Sequence, residues 1–500
     1  MPSPYILSID QGTTSSRAVV YDAKAHAVAT ASQEFPQYYP RPGWVEHDAN
    51  EIWQSVRRVV PEALQRAGID GRDIAAIGIT NQRETTVLWE RESSKPVARA
   101  LVWQDRRTTD FCRERHNDQG WISERTGLVL DPYFSATKIH WLLEQAPERR
   151  SAAAAGRLAC GTIDSFLIWR LTGSQLHATD RTNASRTLLY NVHSLAWDPD
   201  LCEYFSVPAA LLPEVRPSAA SFGATAGLDF LPDGIPIAGV AGDQQASLFG
   251  QGGFASGSAK CTYGTGAFFL LHTGEQAVRS QSGLLSSVAA SIGAKPQYVL
   301  EGSVFIAGSA VQWLRDGLKI VETAPAVEAL AARSQPDEAL ILVPALVGLG
   351  APYWVPEARG VLFGITRGTT AAELARATLE GVAFQVSDLI EAARADSRNE
   401  LSSLRVDGGM AANDWFLQFQ ADVLGIPVQR AAHAESTALG AAFLAGLQIG
   451  VWPDLDTVRG LAGVAAEFSP RWAENERQRR RALWKRAVEA VISVYQPAGS

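Results

Sequence analysis

The chain has 500 residues, 46% of them hydrophobic and 20% charged, with a formal net charge of −8. That is long for one hydrophobic core and ordinary in composition for a globular protein, so two or more domains are expected. The acidic balance without a dense basic patch argues against a nucleic-acid partner, and no apolar run approaches the roughly 18 residues of a membrane span, so no stable membrane insertion is expected. Cys112, Cys160, Cys202 and Cys261 lie far apart and form no CxxC pair. That argues against a zinc site or a disulfide framework and fits a reducing, cytoplasmic setting. No basic-then-apolar leader precedes the first apolar run.

The first elements are a strand, a polar turn and a second strand. Tyr5, Ile6, Leu7 and Ile9 are one apolar run and Ala18 to Tyr21 another. Between them stand Asp10, Gly12, Thr13, Thr14, Ser15, Ser16 and Arg17. A Gly lets the backbone turn tightly, and N–H and hydroxyl groups in such a turn can cradle phosphate oxygens. Arg17 can add a charge-assisted fork, and Asp10 could hold a metal ion through water. The same residues would also make a plain surface hairpin.

Asp48 with Glu51 resembles a capping box opening a helix whose apolar face is Ile52, Val56, Val59 and Leu64, ended by Gly68. Residues 74–79 read as a buried strand running into Arg83 and Glu84, and strands follow at 86–89 and 100–103. Strands alternating with helices give an α/β domain with a mixed sheet. Helices are expected at 121–127, 135–144 and 164–171, while Ala152 to Ala155 decide nothing. The strand at 235–240 ends in Gly242, Asp243, Gln244 and Gln245, with a helix at 246–250. Asp243 could be a helix cap or part of a ligand site at a strand's C-terminal end.

Near residue 250 the plan starts again. Residues 260–271 repeat strand, Gly/Thr turn and strand, with Gly264, Thr265 and Gly266 in the turn. This suggests two similarly built domains, 1–250 and 251–500. Further helices are expected at 307–318, at 370–396 with Thr370 and Glu373 as a capping box, at 416–424 and at 437–446. A strand at 404–406 opens into Gly408, Gly409 and Asn413. The last helix turns Trp484, Val488, Val491 and Tyr495 inward, with Arg477 to Arg481 on its solvated face.

There is no GxxxxGK[ST] loop, no HExxH and no GxSxG elbow. The Gly250-to-Ala255 segment fits a loose dinucleotide pattern but follows a helix rather than a strand, so it is set aside. What remains is three Gly-rich turns, each after a strand, which together suggest a nucleotide held between two domains. Arg83 and Glu84 could be a surface ion pair of little energetic value, or a donor and an acceptor for the hydroxyls of a small polyol.

Taken in order, these segments resemble the FGGY carbohydrate kinase family. The likeness rests on 10–17, 43–48, 80–86, 102–108, 131–134, 182–186, 242–245, 263–266, 348–354 and 407–409. The resemblance implies two ribonuclease-H-like, actin-like domains with mixed sheets flanked by helices, and an active site in the cleft between them. The Asn81-to-Thr85 segment points to the branch that phosphorylates glycerol. By resemblance, Arg83, Glu84, Tyr133, Asp243 and Gln244 bind the glycerol hydroxyls, while Trp103 and Phe268 line its carbons. Thr13, Thr14, Ser15 and Arg17 contact ATP phosphates. Thr265, Gly308, Gln312, Gly409 and Asn413 hold the rest of the nucleotide, and Asp10 and Asp243 lie near Mg²⁺. The expected reaction is in-line transfer of the γ-phosphate of ATP to glycerol, giving sn-glycerol 3-phosphate for glycerol catabolism, with Asp243 as general base and Arg17 stabilising charge. Substrate choice is expected to fall to the first domain, with the second mainly bringing up the nucleotide. A homo-oligomer, dimer or tetramer, is also implied. Alternatives are a family member acting on another polyol or sugar, and a non-catalytic actin-like ATP-binding module. The stretch 226–234 lacks the Gly-Gly-Thr-Arg loop with which some members bind fructose 1,6-bisphosphate, and 470–480 departs from the surface by which some bind a phosphotransferase protein.

Overall fold

A computed structural model describes residues 4–335 and 339–495. The first sheet has five strands: β1 (Tyr5–Gln11), β2 (Ser15–Tyr21), β3 (Ala27–Glu34), β4 (Ile74–Asn81) and β5 (Ile237–Gly242). Their order is β5-β4-β1-β2-β3. β5, β4 and β1 run parallel, while β2 and β3 are antiparallel. Ile6, Leu7 and Ile9 are fully buried because the sheet is covered on both faces. Leu7, Ile9, Ala18, Val20 and Ile79 pack against α1 (Ala49–Ala67) and α2 (Ile163–Leu171). Ile6, Val19, Tyr21 and Ala76 line the opposite face.

The second sheet contains β6 (Ala259–Tyr263), β7 (Ala267–Gly274), β8 (Leu285–Val288), β9 (Tyr298–Val304), β10 (Leu404–Asp407), β11 (Val428–Ala431) and β12 (Val464–Phe468). The order is β8-β9-β7-β6-β10-β11-β12. Within it, β11-β10-β6-β7-β9 repeats the order and directions of the first sheet. The repeat expected from two hairpins therefore extends to five strands in each half. The longest helix, α4 (Ala371–Ser397), covers this sheet and opens with the expected capping box of Thr370 and Glu373.

Two helices join the halves. α3 (Asp243–Gly250) follows β5, and α6 (Ser436–Gln448) follows β11. Each crosses to the other sheet. Leu248 of α3 packs with Leu270 and Val299 of the second sheet, while Ala438, Leu439 and Ala442 of α6 pack with Ile6, Val19 and Ala76 of the first. Glycines make the approach possible. A Cβ on Gly440 would sit 1.9 Å from the Ala246 carbonyl oxygen, and one on Gly78 would sit 2.2 Å from that of Ala441. Between α4 and α6 lies α5 (Asp414–Leu424), and α7 (Glu474–Tyr495) closes the described chain with Trp484, Val488 and Val491 buried and Tyr495 partly so.

Several local expectations are corrected. Asp48 does cap α1, accepting from Asn50 N, but Glu51 accepts from the Tyr38 hydroxyl at 2.8 Å instead of closing a capping box. The strand expected at 100–103 is only Ala100–Leu101, because Val102 and Asp105 turn the chain through a Val102 carbonyl bond. Ala152 to Ala154 end a helix, Pro147–Ala154. The helix expected at 307–318 is a short α-helical stretch, Gly308–Gln312, continued by one wide turn, Trp313–Gly317.

Candidate active site

The corresponding ends of the two sheets meet in one cleft. From the first half come the β1–β2 turn, the end of β4 and the start of α3. From the second come the β6–β7 turn and the end of β10.

In the first turn, Gly12 N donates to the Ser15 carbonyl at 2.9 Å. Thr13 Oγ1 accepts from Trp103 Nε1 at 2.9 Å, which joins the phosphate-type loop to an expected wall of the substrate pocket. Thr14 is exposed, and Ser15 and Arg17 are partly exposed. Arg17 lies across the ladder from Asp10, 3.9 Å from its carboxylate, and also pairs with Glu435 just before α6. Burial pushes the Asp10 carboxyl up to about 6, against the pull of Arg17 and with the help of the nearby Asp243 charge. Two carboxylates are thus held close in a mostly enclosed setting. Among the described residues no group of three or more His, Cys, Asp or Glu could cage a metal alone. A pair of carboxylates of this kind fits Mg²⁺, which keeps waters and takes its remaining ligands from phosphates.

Arg83 and Glu84 are not a surface pair: they are 4% and 1% exposed. Arg83 Nη1 donates to Gln245 Oε1 at 3.1 Å and to Glu301 Oε2 at 2.8 Å. Its Nε lies 3.5 Å from Asp243 and 3.7 Å from Glu84. Gly242 lets the Arg83 stem lie against the backbone, since a Cβ there would meet Arg83 Cγ and Cδ at 2.8 Å. Glu84 adopts φ +60°, a left-handed conformation that costs a non-glycine residue about 1–3 kcal/mol. Ser135 Oγ holds the Glu84 carbonyl at 3.0 Å, and Arg186 Nε its carboxylate at 2.6 Å. Arg186 is placed by a loop that Asn81 and Asn183 fasten through reciprocal amide bonds. Tyr133 stands edge-on to Trp103, with ring centroids 5.6 Å apart.

Asp243 is the first residue of α3, with Gly242 at the cap position, so its carboxylate is not the helix cap. One oxygen accepts from Gln244 N at 2.7 Å. The side chain is 31% exposed, open to the cleft. Gln244 Oε1 accepts from the buried Lys260 at 2.5 Å, and among the described residues its amide nitrogen has no hydrogen-bond partner. Lys260 also donates to Thr262, and Thr262 to Asp407, the residue before Gly408. Phe268 sits opposite Thr262 on the same sheet face.

At the β6–β7 turn, Ala307 N and Ser309 N donate to the Thr265 carbonyl at 2.9 and 3.1 Å, and Gly308 N to that of Gly264. A Cβ on Gly308 would lie 2.6 Å from Gly264 O and 3.9 Å from Met410, so three loops converge there. Gly408 has φ +87° and is pressed on Tyr263, whereas a Cβ on Gly409 would meet nothing within 4 Å. Asn413 caps α5, with Oδ1 accepting from Phe416 N at 2.8 Å; among the described residues its amide nitrogen has no hydrogen-bond partner. Gln312 is exposed one turn beyond Gly308.

Residues of the second sheet also brace this cluster: Glu301 accepts from Arg83, and Lys260 donates to Gln244. Sequence reasoning missed Glu301, Lys260, Glu435 and the role of Arg186. The one available signal was charge inside otherwise apolar strands, as at Glu301 between Leu300 and Gly302.

Two sheets of one topology, with phosphate-type turns facing each other and a buried donor–acceptor pair between them, define a two-domain kinase of actin-like plan. Models of the FGGY family of carbohydrate kinases match residues 5–250 with the N-terminal domain and 259–449 with the C-terminal domain. The chain belongs to that family. It is 55% identical over 488 residues to a glycerol kinase of Alkalilimnicola ehrlichii, covering 97% of each chain, and 50% identical to one of Enterococcus casseliflavus, again over 97% of each. Among solved structures it resembles a Plasmodium falciparum glycerol kinase crystallised with ADP, at TM-score 0.93 and 36% identity, covering 98% of this chain and 99% of that one. A Lactobacillus acidophilus xylulose kinase shares the fold at TM-score 0.88 and 24% identity, with 99% of each chain covered.

Proposed function

We propose that this kinase phosphorylates glycerol with ATP, giving sn-glycerol 3-phosphate and ADP, as its likeness to glycerol kinases suggests. The observation that carries this reading is the burial of Arg83 and Glu84 beside Asp243, with Trp103 tying that pocket to the phosphate-type turn. A buried donor and acceptor beside aromatic side chains suit a small polyol such as a three-carbon triol.

In this reading Arg83 and Glu84 bind two hydroxyls and Tyr133 and Gln244 complete the polar lining. Trp103 and Phe268 cover the carbons. The third hydroxyl meets the free oxygen of Asp243, which accepts its proton as the hydroxyl oxygen attacks the γ-phosphorus in line and ADP leaves. Thr13, Thr14, Ser15 and Arg17 position the phosphates. Thr265, Gly308, Gln312, Gly409 and Asn413 hold the remaining nucleotide. Asp10, with Asp243 nearby, would hold Mg²⁺, largely through water, and the ion would supply neutralising charge at the phosphates. Closure of the two domains, 1–250 and 251–500, excludes water and limits ATP hydrolysis. A cytoplasmic dimer or tetramer serving glycerol breakdown is the setting we favour.

The test is ADP release by the purified protein with Mg²⁺ and ATP. Release is expected to rise at least about 100-fold on adding glycerol. Equal release with and without glycerol would reject the reading in favour of an ATP-binding module.

A further inference from the structure

Glu301 lies in β9 of the second sheet and is 5% exposed. The ladder places it opposite Leu270, which is itself opposite Lys260, so Glu301 shares the cleft face of the sheet with Lys260. Its two oxygens have different partners. Oε2 accepts from Arg83 Nη1 at 2.8 Å. Oε1 accepts from Arg186 Nη1 at 2.6 Å and from Ser287 Oγ at 2.5 Å. Arg186, fully buried, donates through Nε to Glu84, which returns to within 3.7 Å of Arg83. Four charges thus close a ring: Arg83, Glu301, Arg186, Glu84. Three come from the first half, and Glu301 alone from the second.

Such a ring is stable only when complete, because each buried charge has lost its water and depends on its partners. Arg186 Nη2 is already buried without a hydrogen bond. The two carboxylates are held differently. Burial alone would push Glu301 up, but Arg186 and Arg83 together bring it below the ordinary carboxylate value. Burial keeps Glu84 above that value despite the same two arginines.

The effect on Arg83 is geometric. A guanidinium is planar, so fixing one edge fixes the others. Nη1 is committed to Glu301 and Gln245, and Nε faces Asp243 and Glu84. Among the described residues neither Nη2 nor Nε makes a hydrogen bond; Nε is turned to the two carboxylates, so Nη2 is the edge open to a ligand. We propose that Glu301, supported by Ser287 and Arg186, is a positioning residue for the polyol: from the second sheet it aims Arg83 at the substrate hydroxyl, so the polyol site is whole only when both halves are together. This rests on the reading that Arg83 binds a substrate hydroxyl.

The test compares Glu301→Gln and Ser287→Ala with the parent in ADP-release kinetics, varying polyol and ATP separately, alongside thermal melts. Glu301→Gln keeps the shape but loses the charge and one acceptor. Its KM for the polyol is expected to rise about tenfold or more, with KM for ATP within about twofold. Ser287→Ala keeps the charge and loses one donor, and should raise the polyol KM about two- to fivefold in the same selective way. A purely structural role would lower Tm and the active fraction and leave both KM values where they were. That result, or an equal rise in both KM values, overturns the proposal. Should Glu301→Gln fail to fold, Ser287→Ala decides by the same split. All splits are read on whichever polyol the parent turns over best, so an error about glycerol itself shows in the parent and an error about Glu301 only in the variants.

Discussion

Asp243 and Asp10 are two carboxylates at one cleft, and they are held differently. Asp10 ends a buried strand and is answered across the ladder by Arg17. Asp243 opens a helix with one oxygen bound to Gln244 N and its side chain 31% exposed. The second arrangement leaves an oxygen for a reacting hydroxyl. Asp243→Asn keeps the acceptor for Gln244 N and removes the basicity. Its kcat is expected to fall about 10²- to 10⁴-fold with KM for glycerol changed only a few-fold, as ADP release would show. Turnover within tenfold of the parent would sink the base assignment. Asp10, Thr13, Thr265, Gly409 and Asp243 stand out in the sequence because they sit at or beside turns after strands, whereas Trp103, Tyr133 and Phe268 are singled out by the family resemblance alone. Glu301 and Lys260 were not legible there, because they lie inside strands and their partners are more than a hundred residues away or across the cleft in the other half. The strain at Glu84 was equally invisible: nothing in Arg83-Glu84-Thr85 signals φ +60°.

Elements were read well where a local signal and the core agreed. α4 has both a capping box and a buried face with Val382, Val386 and Leu389 at 0% exposure. The box expected at Asp48 and Glu51 fails because a distant hydroxyl, that of Tyr38, takes Glu51. α4 also carries a group that links it to α7. Asp388 Oδ2 accepts from Trp484 Nε1 at 2.7 Å and from the Tyr353 hydroxyl at 2.9 Å. Burial pushes its carboxyl up to about 6, with those two donors opposing. A raised folded value means that the stability contributed by protonated Asp388 is fully present below the unfolded value of 3.8 and is lost as pH rises through 6. An amide mimics the protonated form and can accept both donors on one oxygen. The Tm of Asp388→Asn minus that of the parent should therefore increase as pH is raised from about 4 to about 8. A difference that is flat or falls over that window would show that the ionised form is the better fit.

At the scale of the molecule, the two sheets are held together by an exchange of helices, α3 onto the second sheet and α6 onto the first. The repeat itself was legible from two Gly/Thr hairpins. The exchange was not, since the small residues of α6 say only that something can approach closely. Its weakest point is Gly440, whose added methyl would meet the Ala246 backbone at 1.9 Å, where no side chain can move aside. Gly440→Ala should cost about 3 kcal/mol or more and lower Tm by about 5 °C or more in a thermal melt. A Tm within a degree of the parent would mean that the helices can slide and that the cleft is less tightly defined than its contacts indicate. Under the proposed function, the ring around Arg83, closed by both halves, would favour a three-carbon triol over longer substrates. A panel of glycerol, erythritol, ribitol, xylulose and gluconate, compared by kcat/KM in one ADP-release assay, measures this directly. Glycerol is expected to exceed every longer substrate by about 100-fold or more. A four- or five-carbon substrate that equals or surpasses glycerol would contradict the account.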